Sequence, residues 1–167
     1  GLLLDNTAWE RVGDVVSEGE FYRYDHRLIF QQIANLIERG RPADVVTVAE
    51  ALDKHQQLQE VGGLSYLATL AQNTPSASNI RRYGEIVHER AVLRRLAEVG
   101  AEIADSAYQP QGREADQLLD EAEAKVFQIA EASAKGKQGF VAIGPLLTQV
   151  IEEIDIKYNR EDDSEVT

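Results

Sequence analysis

Between Ser78 and about Tyr108 the chain carries a helical pattern unbroken by proline, which predicts a rod roughly 45 Å long at ~1.5 Å per residue. Such a rod overruns any core that a chain of 167 residues can wrap around it. Pro110-Gln111-Gly112 then reads as a turn, and Glu114–Ala134 returns as a second helix. Its Leu118, Leu119, Ala122, Val126, Ile129 and Ala130 recur at helical spacing. The matching stripe on the first arm is Leu93, Leu96, Ala97, Gly100, Ile103, Ala104 and Ala107. Small residues on both arms allow close approach, so the pattern predicts an antiparallel helical hairpin.

Two arms bury one stripe each, and a fully buried Leu, Ile or Val contributes roughly 1.5–3 kcal/mol. Alone they are marginal. The hairpin is therefore expected to pair with a second copy, with Leu93, Leu96, Gly100, Ala104, Val126 and Ile129 as the self-association residues. The alternative left open is that the arms fold back on the preceding Leu2–Asn73 region.

That region reads as short amphipathic helices. In Asp25–Arg39, Ile29, Ile33, Leu36 and Ile37 share one face and Gly40 is the stop signal. Thr47 with Glu50 matches a capping box opening a helix through about His55. Val61-Gly62-Gly63 supplies a turn, and Leu64, Leu67, Ala68 and Ala71 form the next stripe. No alternating strand pattern appears, so the fold class is all-α: a globule over 1–75, the hairpin over 76–134, a Gly- and Lys-containing linker over 135–143, and a helix over 144–160. Residues 161–167 read as the start of a tail. Pro145 suits a first helical position, and Leu146, Leu147, Val150, Ile151 and Ile154 line one face of this last helix as a docking surface. It either docks elsewhere or packs on its own hairpin.

Composition narrows the function. No cysteine is present, which removes disulfides and thiolate metal sites and fits a reducing, cytoplasmic setting. With 29 acidic against 17 basic side chains and a net charge of -12, the surface repels phosphate backbones at long range, so this segment is expected to contact DNA only weakly. The absence of methionine and the abrupt opening at Gly1 suggest a piece of a longer protein.

Catalytic groupings are sparse. Gly139 and Gly144 have the glycine spacing of a phosphate-binding loop, but Pro145 and Leu146 stand where its lysine and hydroxyl belong. His26, His55 and His88 are far apart and form no metal-ligand pair on one helical face, so each is read as a surface or capping residue. Glu152, Glu153 and Asp155 read as a solvated face, and Ser76, Ser78 and Ser133 as caps and turns. Arg81, Arg82, Arg90, Arg94 and Arg95 alternate with Glu85, Glu89, Glu98 and Glu102; pairs such as Arg81–Glu85 and Arg94–Glu98 support the helix locally. No catalytic, cofactor or metal residue is assigned.

Three stretches carry a further signal: LLLDN at Leu2–Asn6, ADVVTVAEAL at Ala43–Leu52, and VGGLSYLATLAQNTPSASNIRRYGEIVHERAVLRRL at Val61–Leu96. Together they resemble the N-terminal domain of the DnaB family of bacterial replicative DNA helicases. The resemblance implies a collar domain of a homohexamer, commonly a trimer of dimers, whose RecA-like ATPase domain, with its ATP and Mg, lies beyond this segment. It implies docking of the primase C-terminal domain, a helicase loader as a further partner, and a linker helix packed on the neighbouring subunit's ATPase domain. Ile103 and Leu118 near the hairpin tip, with Ala97 further down, match the primase-responsive region; Tyr108 and Leu119 join them by proximity. All five read equally as hairpin core. The competing reading is a free-standing helical dimeric adaptor or regulator with no motor attached.

Overall fold

The computed structural model describes residues 1–136. Among them are six α-helices and no strand: α1 (Trp9–Val12), α2 (Tyr24–Glu38), α3 (Val45–Lys54), α4 (Gly63–Gln72), α5 (Ile80–Tyr108) and α6 (Ala115–Gly136). Short 3-10 turns at Asn6–Ala8 and Glu18–Glu20 flank α1. The all-α expectation holds. The proposed linker, the linker helix with Leu146, Leu147, Val150, Ile151 and Ile154, and the Gly139–Gly144 spacing lie outside the described residues.

Local chemistry sets the helix ends. Gly40, at φ +70°, closes α2 in a left-handed cap, with Arg41 N–H donating to the Leu36 carbonyl at 2.8 Å and Gly40 N–H to Ile37 at 3.0 Å. The α3 cap differs from the sequence reading. Asp44, not Thr47, is the N-cap: its carboxylate accepts from Thr47 N–H at 2.9 Å while the Thr47 hydroxyl accepts from Asp44 N–H at 2.8 Å. Asp accepts as well as Thr at this position, so the box starts three residues earlier and Glu50 instead pairs with Lys54 at 3.3 Å.

The core of the globule gathers Val48, Leu52, Val61 and Leu67, none more than 2% exposed, around buried Leu28, Ile29, Phe30 and Ile33 of α2. Phe30 anchors an aromatic cluster, its ring centroid 5.7 Å from Trp9 and 5.0 Å from Phe21. Asn6 fixes the opening segment to this core: its amide donates to the Ala43 carbonyl at 2.7 Å and accepts from Ala43 N–H at 2.8 Å. That pair of hydrogen bonds accounts for the asparagine ending the LLLDN stretch.

The long helix is continuous from Ile80, and its first turns belong to the globule. Ile80, Gly84 and His88 are buried one turn apart, with Gly84 so close to α1 that an added Cβ would sit 2.6 Å from Val12 Cγ2. The division at residues 75 and 76 thus marks a loop, while the body of the globule includes the root of α5. Beyond it α5 packs mainly on α6, with Arg94 still reaching back to the globule at the Glu20 carbonyl, and the two helices are joined through Gln111 and Gly112 at φ +53° and +83°.

Candidate interaction surface

The seam between α5 and α6 is built around Val99, fully buried, and Ile129 at 9% exposure. Half-buried Val92, Ile103, Ser106, Leu118 and Ala122 continue it. Lys125 Nζ lies 3.1 Å from Glu102 across the seam, and Arg113 near the turn pairs with Glu121 of α6. The seam is rotated from the stripe expected on the first arm. Ile103 faces inward, but Leu93 and Leu96 remain 50% and 49% exposed, and Ala97, Gly100, Ala104 and Ala107 are exposed with them. Residues three and four apart share a helical face, so α5 carries two apolar faces. One fills the seam; the other is left open.

The second arm repeats this. Val126 is 45% exposed and Leu119 62%, with Phe127 beside them at 67%, whereas Ile129 turns into the seam of its own molecule. Among the self-association candidates, Leu93, Leu96, Gly100, Ala104 and Val126 are therefore surface residues and Ile129 is an interior one. Near the tip an apolar groove is lined by Ile103, Ser106, Ala107, Ala115, Leu118 and Leu119. Of the docking candidates, this groove brings Ile103, Leu118 and Leu119 together. Tyr108 protrudes at 86% exposure, and Ala97 lies outside the groove.

Two electrostatic expectations change. Arg81 pairs with Glu85 at 3.6 Å as the spacing predicts, but Arg95, not Arg94, reaches Glu98 and Glu102, at 3.4 and 3.7 Å. Arg94 instead donates to the Glu20 carbonyl at 2.7 Å, with its guanidinium 5.4 Å from the Tyr22 ring centre. Of the histidines, His55 is the C-cap of α3, its Nδ1 2.9 Å from the Ala51 carbonyl. His88 overturns the surface reading: it is 1% exposed, with Nδ1 paired to the Glu20 carboxylate. A partner 68 residues away leaves no local trace in the sequence.

His26 is half-buried, its Nε2 2.7 Å from the Tyr66 hydroxyl and its ring stacked on Tyr66. Burial pushes its pKa below the ordinary value; the neighbouring Asp25 opposes this and Arg23 adds to it. For Asp25, burial acts upward, but hydrogen bonds from Arg23 and from the His26 N–H hold the carboxyl below the usual range. On the globule an apolar groove of about 290 Å³ runs past Leu2, Val12, Phe21, Ile29, Phe30 and Val87, with no carboxylate, lysine or arginine in its lining. Among the described residues no group of three or more His, Cys, Asp or Glu could hold a metal ion. None of their helices is long and apolar enough to cross a membrane.

Among the described residues the molecule is a helical globule that raises a long hairpin with an open apolar face. The sequence model of the DnaB-like helicase N-terminal domain matches residues 1–89, and the chain belongs to that family. It is 41% identical over its whole length to the replicative DNA helicase DnaB of Haemophilus influenzae, and 37% identical over 166 residues to that of Geobacillus stearothermophilus. It spans about a third of those relatives, 36% in each. Among solved structures, the N-terminal domain of DnaB helicase from Mycobacterium tuberculosis superposes with a TM-score of 0.74 at 38% identity, covering 77% of this chain and 90% of that one.

Proposed function

We propose that this chain is the collar segment of a replicative DNA helicase: it assembles the ring through its hairpin and receives the primase C-terminal domain. The observation that carries the assembly role is the second apolar face of α5, where Leu93 and Leu96 stay half exposed beside Gly100 and Ala104. The small residues that follow the leucines, Ala97, Gly100 and Ala104, let a second hairpin approach closely. Pairing two such faces gives a dimer, and three dimers close a hexamer. Exposed apolar stripes of this extent on a helical arm mark contact surfaces.

Primase docks at the tip, where Ile103, Leu118 and Leu119 line a groove and Tyr108 offers a protruding ring. Residues 144–160 serve as the helix that packs, through Leu146, Leu147, Val150, Ile151 and Ile154, on the ATPase domain of the neighbouring subunit; a loader acts near the same element. ATP and Mg are bound by that ATPase domain, and unwinding is its work. The full-length relatives are replicative DNA helicases.

Sedimentation equilibrium over a concentration series tests the assembly role, with mass expected to rise from monomer to dimer and higher multiples. A strictly monomeric mass at the highest concentration sinks it. Mixing with the primase C-terminal domain tests docking: a complex weakened by Leu119→Lys is expected, and no complex at all removes that role.

A further inference from the structure

We infer that His88, Glu20 and Arg94 form a polar clasp that sets the angle at which the hairpin leaves the globule. His88 is the last buried residue at the root of α5; the next on that helix is Val99, inside the hairpin. The arm departs at this point. His88 is 1% exposed and its Nδ1 is hydrogen-bonded to Glu20 Oε1. The other carboxylate oxygen of Glu20 accepts from Ser17 N–H at 2.6 Å, which closes the turn Glu18–Glu20 on itself. The Glu20 carbonyl then takes the Arg94 guanidinium at 2.7 Å.

One residue of the globule thus holds α5 at two points, positions 88 and 94, separated by about 9 Å along the axis at ~1.5 Å per residue. Two attachments fix tilt and rotation together, where one would leave a pivot. The contacts nearer the root, Ile80, Gly84 and Val87 against the globule, are largely apolar. Apolar contact is non-directional and holds the helix down without choosing an angle. Hydrogen bonds are directional, weakening steeply as they bend, and in a buried setting the mismatch cost of a wrong angle is high. The Arg94 guanidinium also lies 5.4 Å from the centre of the exposed Tyr22 ring, a cation–π contact beside the second attachment.

This clasp is a positioning device: it decides the direction in which the open face of the arm is presented. The chain has no cysteine, so paired spin labels are introduced at Asp53→Cys on α3 and Asp116→Cys near the tip, diluted with unlabelled protein to remove distances between copies. The unmodified clasp is expected to give one narrow distance distribution. The paired change Glu20→Ala with His88→Leu removes the buried imidazole and its half-buried carboxylate partner at once, which avoids stranding a charge; helicity should persist while the distribution becomes about twofold broader. Glu20→Gln keeps an oxygen for Ser17 N–H, an amide N–H that can donate to His88 Nδ1, and the main-chain carbonyl for Arg94, and restores the narrow width.

An unchanged width in a folded paired variant overturns the proposal. Hydrogen exchange on the unaltered protein gives a second check that needs no variant. The amides of Glu20 and Phe21 should be protected together with those around His88; exchange at the rate of an open loop refutes the clasp.

Discussion

Leu96→Ala tests the open face of the hairpin most directly. Leu96 is 49% exposed in the single molecule, so half of its surface is already covered and pairing can hide only the remainder. Full burial of a leucine is worth roughly 1.5–3 kcal/mol, and half of that is about 1 kcal/mol. A two-fold dimer uses the residue twice, so the truncation should weaken pairing by about 2 kcal/mol, or about 30-fold in the dissociation constant. Leu93, at 50% exposure, gives the same estimate, and the two changes together should cost about 4 kcal/mol if they act independently. Sedimentation equilibrium reads the constant. Leu64, also 51% exposed but on α4 of the globule, is the control, and Leu64→Ala should leave association unchanged. Equal effects at Leu64 and Leu96, or none at Leu96, would show that the open face of α5 is not where copies meet.

Gly84→Ala should lower the melting temperature although alanine favours helix by ~1 kcal/mol: its methyl would sit 2.6 Å from Val12 Cγ2, in a core where overpacking costs about 1–3 kcal/mol. The same change at Gly100, where an added Cβ meets nothing within 4 Å, should stabilise the dilute monomer. Asp44→Ala removes the α3 cap and should cost about 1 kcal/mol in urea unfolding, with Thr47→Glu unable to repair it. His26, whose pKa burial lowers, binds its proton more readily when unfolded, so stability should fall as pH drops through the ordinary histidine value near ~6.5 toward the folded one. His26→Gln should flatten that slope in melting curves taken between neutral and mildly acidic pH; an identical slope would mean that other groups carry it.

Helix existence and punctuation were legible in the chain because they are local. Gly40, the glycines after Val61 and the Pro110–Gly112 turn each act within a few residues, and the structure has helix ends at all of them. The family was legible too, since the three quoted stretches lie mostly in the globule and the root of α5. The cap of α3 was misplaced because Asp44 and Thr47 both have the chemistry of an N-cap, and periodicity alone does not choose between them.

By itself, then, the sequence determined an all-helical chain with a long hairpin and apolar residues along both arms. Tertiary structure decided which of those residues meet each other. Val99 and Ile103 enter the seam while Leu93 and Leu96 stay open, because α5 is apolar on two adjoining faces and only the approach of α6 selects one. It also decided that His88 is interior, since burial there depends on Glu20, far away along the chain but adjacent once α1 has packed against α5.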